Sequence, residues 1–280
     1  MTNRVSRRGL AGAAALAPAA LIGSAHAQSK TESTFERVMR TKVLRIAALP
    51  GELPYFSKDI ATGDWSGSAI DMAKDIAKIW DAKLEYVEST YGNSVLDLQS
   101  NKIDLAFALN PTPQRALAIG FSRAYYMHPF GYVARRGFAA RTWEDLNRPE
   151  IRVVSLIGSL TDVLLARFAP KAQVIGAKAG DDAILLMQAG RADCIMYALI
   201  QALSVSARAP MLEQVTLLQQ PYVALPSAMG VQMEPDRRWR DFLNSWTDYN
   251  TGTRQVGTWM RQSLLAMGVK PEAIPANADL

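Results

Sequence analysis

The stretch Leu98-Gln99-Ser100-Asn101-Lys102-Ile103-Asp104-Leu105 is echoed by Met187-Gln188-Ala189-Gly190-Arg191-Ala192-Asp193-Cys194. Each reads as the end of a helix, with Asn101 or Gly190 in the left-handed position just past it and a basic residue near its negative pole. The chain then turns at once into an apolar strand. Two such corners predict two similar α/β units in one chain. The flanking pattern agrees. Val43 to Leu49 is a short apolar strand ending at Pro50-Gly51, and Ile70, Ala73, Ala77 and Trp80 fall at helical spacing. A second helix is expected from about Ser94 to Ser100, and a buried strand from Ile103 to Leu109. In the second unit Ile151 to Leu156 opens into Gly158-Ser159, with a helix from about Thr161. Short apolar strands alternating with helices favour a parallel sheet.

The C-terminal part does not fit a third unit. Trp239 to Tyr249 is expected to be helical, with Phe242, Trp246 and Tyr249 on one face, and Trp259 to Met267 to form another helix. Both would pack back on the first unit, and the chain beyond Pro271 is expected to fray. The chain then crosses between units twice, near Gly131 to Arg136 and near Tyr222 to Gly230. The expected architecture is two α/β lobes joined by two crossover strands: residues 28–131 plus 225–280, and residues 132–224. The cleft between such lobes is where strand ends and helix N-termini face a ligand.

Residues 1–27 are an address. Arg4, Arg7 and Arg8 precede an alanine-rich apolar run from Leu10 to Ile22, and Ala25-His26-Ala27 offers the small residues of a signal-peptidase site. Ser6-Arg7-Arg8-Gly9-Leu10 is similar to a twin-arginine export signal; an ordinary secretory signal is the alternative. The run is too short for a comfortable membrane span, and the expected destination is the periplasm. Without those three arginines the chain has 28 basic residues against 26 acidic ones. No basic run interleaved with aromatics remains, which argues against nucleic acid as a partner. One cysteine, Cys194, and two histidines, His26 and His128, rule out a disulfide framework and a Cys- or His-built zinc site. Cys194 reads as a buried structural thiol and His128 as a hydrogen-bonded structural histidine. No cofactor is called for.

Several segments carry a resemblance. Pro54-Tyr55-Phe56 is followed by Gly67 and Asp71. Leu98-Gln99-Ser100 leads to Lys102-Ile103-Asp104. Thr112-Pro113-Gln114-Arg115 precedes Phe121-Ser122 and Tyr125-Tyr126, and Gly158-Ser159 precedes Gly190-Arg191-Ala192-Asp193. In this order they resemble the periplasmic solute-binding proteins of ABC importers, family 3, the polar amino acid class. The resemblance runs from about Val43 to Trp259. It implies a type II-like two-lobed binding protein that captures a small carboxylate-bearing ligand and docks, as a monomer, on an ABC permease in the inner membrane. Arg115 would hold the carboxylate with a planar two-donor fork. Thr112 would be a hydroxyl or backbone partner, and Ser159 and Thr161 would supply donors from the other lobe. Tyr55, Tyr91 and Trp65 are candidates for an aromatic wall.

Two departures matter. In amino acid binders of the family an aspartate five residues after the GRxD motif holds the ligand's ammonium; Ala198 stands there. Either Glu52 or Asp162 replaces it, or the ligand has no ammonium. Arg123 also puts a positive charge where the family carries an acid. Both changes tilt the site toward anions. Two rivals share the scaffold: an enzyme similar to periplasmic cyclohexadienyl dehydratases, with Glu52 as its only candidate acid, and a sensor without transport.

Overall fold

Ser33 starts the first element, α1 (Thr34–Thr41), by a reciprocal cap: its hydroxyl accepts the Glu36 N–H while the Glu36 carboxylate accepts the Ser33 N–H. The structure is a computed structural model and describes residues 32–212, 214–276, 278 and 280. The export-signal reading falls on residues outside these. After α1 come β1 (Val43–Ala48), a hairpin of β2 (Ser57–Lys58) and β3 (Trp65–Ser66), and α2 (Ser68–Ile79). β4 (Lys83–Glu88), α3 (Tyr91–Gln99), β5 (Ala106–Leu109) and the short α4 (Pro113–Ala116) complete the first half. The long strand β6 (Gly120–Ala134) leads into the second half. There α5 (Trp143–Leu146), β7 (Arg152–Leu156), α6 (Leu160–Phe168), β8 (Gln173–Ala177) and α7 (Gly180–Gln188) precede β9 (Cys194–Ala198), α8 (Leu199–Arg208) and β10 (Gln214–Leu217). β11 (Ala224–Val231) returns to the first half, followed by α9 (Arg238–Gly252) and α10 (Gln255–Ala266).

The two halves share one strand order. In the first, β4 lies parallel to β1, a parallel bridge from Ile46 to Leu105 joins β1 to the β5 side, and β11 runs antiparallel between β5 and β6. In the second, β8, β7 and β9 are parallel, and β6 runs antiparallel between β9 and β10. β6 serves both: its pairing with β11 reaches Pro129, and its pairing with β9 begins at Phe130. The expected parallel core is present, with one antiparallel strand inserted in each half.

The corners are as the sequence predicts. Asn101 and Gly190 both take left-handed backbone, at φ 56° and 67°. Ile70, Ala73, Ala77 and Trp80 are buried on one side of α2. α3 starts at Tyr91, ahead of the expected Ser94, because the Thr90 hydroxyl accepts the Asn93 N–H and caps it there. Cys194 is fully buried in β9, and burial pushes its thiol up.

The C-terminal helices do pack on the first half. Trp80 meets Phe35, Trp239 and Phe242 edge-on at ring-centroid distances of 5.0, 5.3 and 5.1 Å, which ties α2 to α1 and α9. The buried stripe of α9 is Trp239, Leu243, Trp246 and Asn250, so Tyr249 lies off it and is exposed. The described residues beyond Pro271 are held rather than frayed: Ile274 and Ala278 are buried, and the Tyr126 hydroxyl donates to the Ala278 carbonyl at 2.7 Å.

Candidate functional site

Where the halves face each other, side chains from both converge on a cavity of about 20 Å³, little more than the room for one water. Tyr55, Tyr91, Arg115 and His128 come from the first half and the shared strand, and Ser159 and Thr161 from the second. All but His128, which the sequence suggests is structural, are sequence candidates that the fold brings together. Ala198 also reaches the wall. Asn110, Tyr197 and Gln201 join them without having been singled out by any motif. Gln201 sits one helical turn beyond Ala198, which is the only sequence signal that points to it.

The first turns of three helices open on this space. Tyr91 begins α3, Leu160 begins α6, and Ala198 precedes α8 with no side chain capping that end. Their dipoles favour negative charge, and at α6 and α8 no side chain caps the N–H groups. Arg115 is the one side chain on the wall, among the described residues, that is charged at neutral pH. Its Nη1 donates to the Asn110 carbonyl at 3.1 Å, and its Nη2 crosses to the Gly158 carbonyl at 2.7 Å. Burial lowers its pKa, but a guanidinium stays charged.

The backbones of the two halves nearly touch beside that bond. A Cβ on Gly158 would lie 3.0 Å from the Gly92 Cα, and one on Gly180 would lie 2.4 Å from the Gly51 carbonyl oxygen. The chain is therefore in a closed arrangement, and a solute larger than water enters only when the halves part.

The remaining polar groups are neutral. The Tyr55 hydroxyl lies 2.9 Å from His128 Nε2, and burial lowers the imidazole to about 3. The Thr161 hydroxyl links those of Ser155 and Ser159 at 2.8 and 2.7 Å. Ala108 lines the cavity at φ 58°, a strained backbone for a non-glycine residue. Its N–H is tied to the Tyr125 hydroxyl at 2.8 Å. Glu52 stands behind the wall, where Gln201 Nε2 donates to it at 3.0 Å. Burial pushes its carboxyl up to about 8, outweighing the hydrogen bonds from Tyr91 and Gln201.

Four expectations need correction. The Thr112 hydroxyl accepts the Arg115 N–H at 3.2 Å, so it caps α4 and positions Arg115 instead of lining the cavity. Trp65 packs on Tyr86 with Lys58 over its ring, away from the wall. Asp162 is not set against the cavity, because it accepts the Gly158 N–H at 2.8 Å. Arg123 is exposed and pairs with Asp248 on α9, so it adds nothing to the charge of the site.

Residues 44–248 match the profile of the bacterial extracellular solute-binding proteins, family 3. A cyclohexadienyl dehydratase of Pseudomonas aeruginosa is 27% identical over 193 residues, 67% of this chain and 70% of that protein. A probable amino-acid ABC transporter periplasmic-binding protein of Sinorhizobium fredii, y4tE, is 24% identical over 277 residues, 96% of this chain and 91% of that one. The crystal structure of the ancestral amino acid-binding protein AncCDT-1, a precursor of cyclohexadienyl dehydratase, is similar with a TM-score of 0.74 at 23% identity. That match covers 83% of this chain and all of the other.

Proposed function

Because the chain belongs to the bacterial extracellular solute-binding proteins of family 3, we propose that it is the receptor of an ABC importer for a small carboxylate-bearing solute. It closes on the solute between lobes of residues 28–131 plus 225–280 and 132–224, and delivers it as a monomer to a permease in the inner membrane. Residues 1–27 export it to the periplasm, by the twin-arginine route. No helix among the described residues is long and apolar enough to cross a membrane.

The observation that carries this reading is the placement of Arg115. A half-buried fork shares its wall with residues that open three helices, and no ionised acid stands there. Each of these features favours an anion. In the closed cleft the guanidinium bonds the Gly158 carbonyl; a carboxylate entering the open cleft takes that donor. Ala198 leaves an ammonium without a partner, and the neutral Glu52 does not supply one. The ligand is therefore an organic acid without an α-ammonium group.

Thermal unfolding tests this against pairs of ligands, each an amino acid and the same acid lacking its ammonium, such as glutamate and glutarate. Ligand at about a hundred times its dissociation constant stabilises by about 2.7 kcal/mol. The deaminated acids should raise the midpoint and the amino acids should not. The reverse result overturns the anion assignment.

One observation favours a second reading. Glu52 is a carboxyl that titrates at about 8, in the range of a general acid, and the dehydratase relative shares this scaffold. Turnover of prephenate or arogenate by the purified protein, lost in Glu52→Gln, would establish an enzyme. The receptor reading expects no turnover, since Glu52 lies behind Tyr91 and Gln201 and not on the cavity wall.

A further inference from the structure

Three carboxyls are buried among the described residues. Asp97 bonds Ser89 and Lys102, and Asp104 bonds Arg37 and Arg45, all within the first half. Glu52 alone is shared between halves. It rises from the loop after β1, 4% exposed, and takes hydrogen bonds from Tyr91 on its own side. From the other side it takes Gln201 Nε2 at 3.0 Å and the Gly180 N–H that begins α7. Gln201 Nε2 also lies 3.3 Å from the Tyr91 hydroxyl, so the three groups form one small network across the cleft.

No cation pairs with this carboxyl among the described residues. The groups facing it are Tyr55 from its own loop, Tyr91 from α3, Tyr197 from β9 and Asp181 from α7. Asp181 adds like charge. Glu52 also borders an adjoining cavity of about 260 Å³ with Lys178 and Glu88, and Glu88 pairs with Lys58. An ionised Glu52 would thus sit desolvated beside Asp181 with nothing to balance it. Parting the halves removes Gln201 and Gly180 and lets in water, where a glutamate ionises near its ordinary value of 4.5.

We propose that Glu52 couples closure of the cleft to the uptake of one proton, so that the closed state is held at neutral pH and given up in alkali. The coupling rests on the two-lobed receptor reading but requires no ligand. Closure raises the pKa of Glu52, so the closed state keeps its full advantage below pH 4.5 and loses it as pH rises to about 8. His128 titrates the other way, but only below its ordinary value of 6.5. Between pH 7 and 9 the effect is that of Glu52 alone. The closed-to-open ratio falls about tenfold over that interval, one proton being bound below the transition and none above.

The test places spin labels on cysteines substituted at Leu96 on α3 and Leu185 on α7, both exposed; the buried Cys194 does not react. Interlabel distances are then measured at pH 7 and 9 without ligand. The expected result is a roughly tenfold fall in the ratio of short- to long-distance populations in the parent and none in Glu52→Gln. An unchanged distribution in the parent, or the same loss in both, overturns the proposal. Carbon-13 titration of the Glu52 carboxyl in the native chain checks it independently of any variant: a midpoint near 8 supports the coupling and one near 4.5 contradicts it. A pH-dependent closure in a protein that binds no carboxylate would leave this coupling standing and overturn the receptor reading instead.

Discussion

Asp104 and Asp193 hold the same corner in the two halves. Asp104 accepts the Arg45 N–H at 2.7 Å and pairs with Arg45 Nη2 at 2.7 Å. Asp193 accepts the Arg152 N–H at 2.8 Å and pairs with Arg152 Nη2 at 2.8 Å. Each carboxylate leaves a helix-to-strand corner and clamps the start of a neighbouring parallel strand, β1 or β7. The internal echo of the sequence is the trace of this device.

The two corners differ in depth, and that gives a first prediction. Each aspartate has a second arginine, Arg37 at Asp104 and Arg135 at Asp193, but the Asp104 side chain is fully buried whereas Asp193 keeps 17% of its side chain exposed. Asp104→Ala strands two arginines against a buried site and should cost about 3–5 kcal/mol. For a chain of this size that lowers the unfolding midpoint by roughly 6–20 °C. Asp193→Ala should cost clearly less. Equal losses in a calorimetric scan would contradict the reading of Asp104 as the deeper clamp.

How far the sequence discloses the fold depends on what each residue needs from its neighbours. The corners at Asn101 and Gly190 are local, since a left-handed residue after a helix and a following acid can be seen in a few letters. The face of α2 is equally local. The site is not. Tyr55, Tyr91, Arg115, Ser159 and Thr161 are visible through the family resemblance, but Asn110, Tyr197 and Gln201 reach the wall only because β5 and β9 end, and α8 begins, beside it. Thr112 shows the converse. A hydroxyl three residues before an arginine fits both a ligand contact and a cap, and only the bond from the Arg115 N–H decides. The place of Arg123 in a motif suggests a site charge, yet its strand directs it to Asp248.

The fork at Arg115 predicts a steep chemical dependence. Arg115→Ala removes both the charge and the donor that reaches Gly158, and should weaken carboxylate binding at least about 30-fold, the equivalent of 2 kcal/mol. Arg115→Lys keeps the charge but not the two parallel donors, so it should recover only part of the loss. Titration of the three proteins with one carboxylate measures the order. Full recovery by lysine would mean that charge alone is recognised.

Ala198 predicts a switch of ligand class. Ala198→Asp restores a carboxylate at the start of α8, a position that favours Asp both as a cap and toward the helix dipole. The variant should fold, lose affinity for deaminated acids and gain affinity for their amino acids. Paired thermal shifts on wild type and variant read the exchange directly. If the preference does not move, the ammonium argument fails.

His128 predicts an acid limit on stability. Its imidazole is buried against Tyr55 and lowered to about 3, from an ordinary value of 6.5. A lowered base stabilises the folded chain above pH 6.5, and the contribution is lost as pH falls from 6.5 toward 3. By pH 5 the loss is about 2 kcal/mol. Glu52 titrates in the opposite sense over this range in both proteins, so the test is their difference: His128→Gln, which keeps a hydrogen-bonding group but no titration, should gain about 2 kcal/mol relative to the parent between pH 7 and 5. A parallel change in both proteins would assign the acid limit elsewhere.

The central claim is that an anion without an ammonium group is what the cleft holds, and titration calorimetry of the native protein at pH 7 tests it most directly. A panel of small carboxylates is titrated beside the matching amino acids. The account predicts that the best ligand is a deaminated acid, bound at least about tenfold more tightly than its amino acid, a difference of 1.4 kcal/mol or more. An amino acid that binds more tightly than its deaminated partner would contradict it.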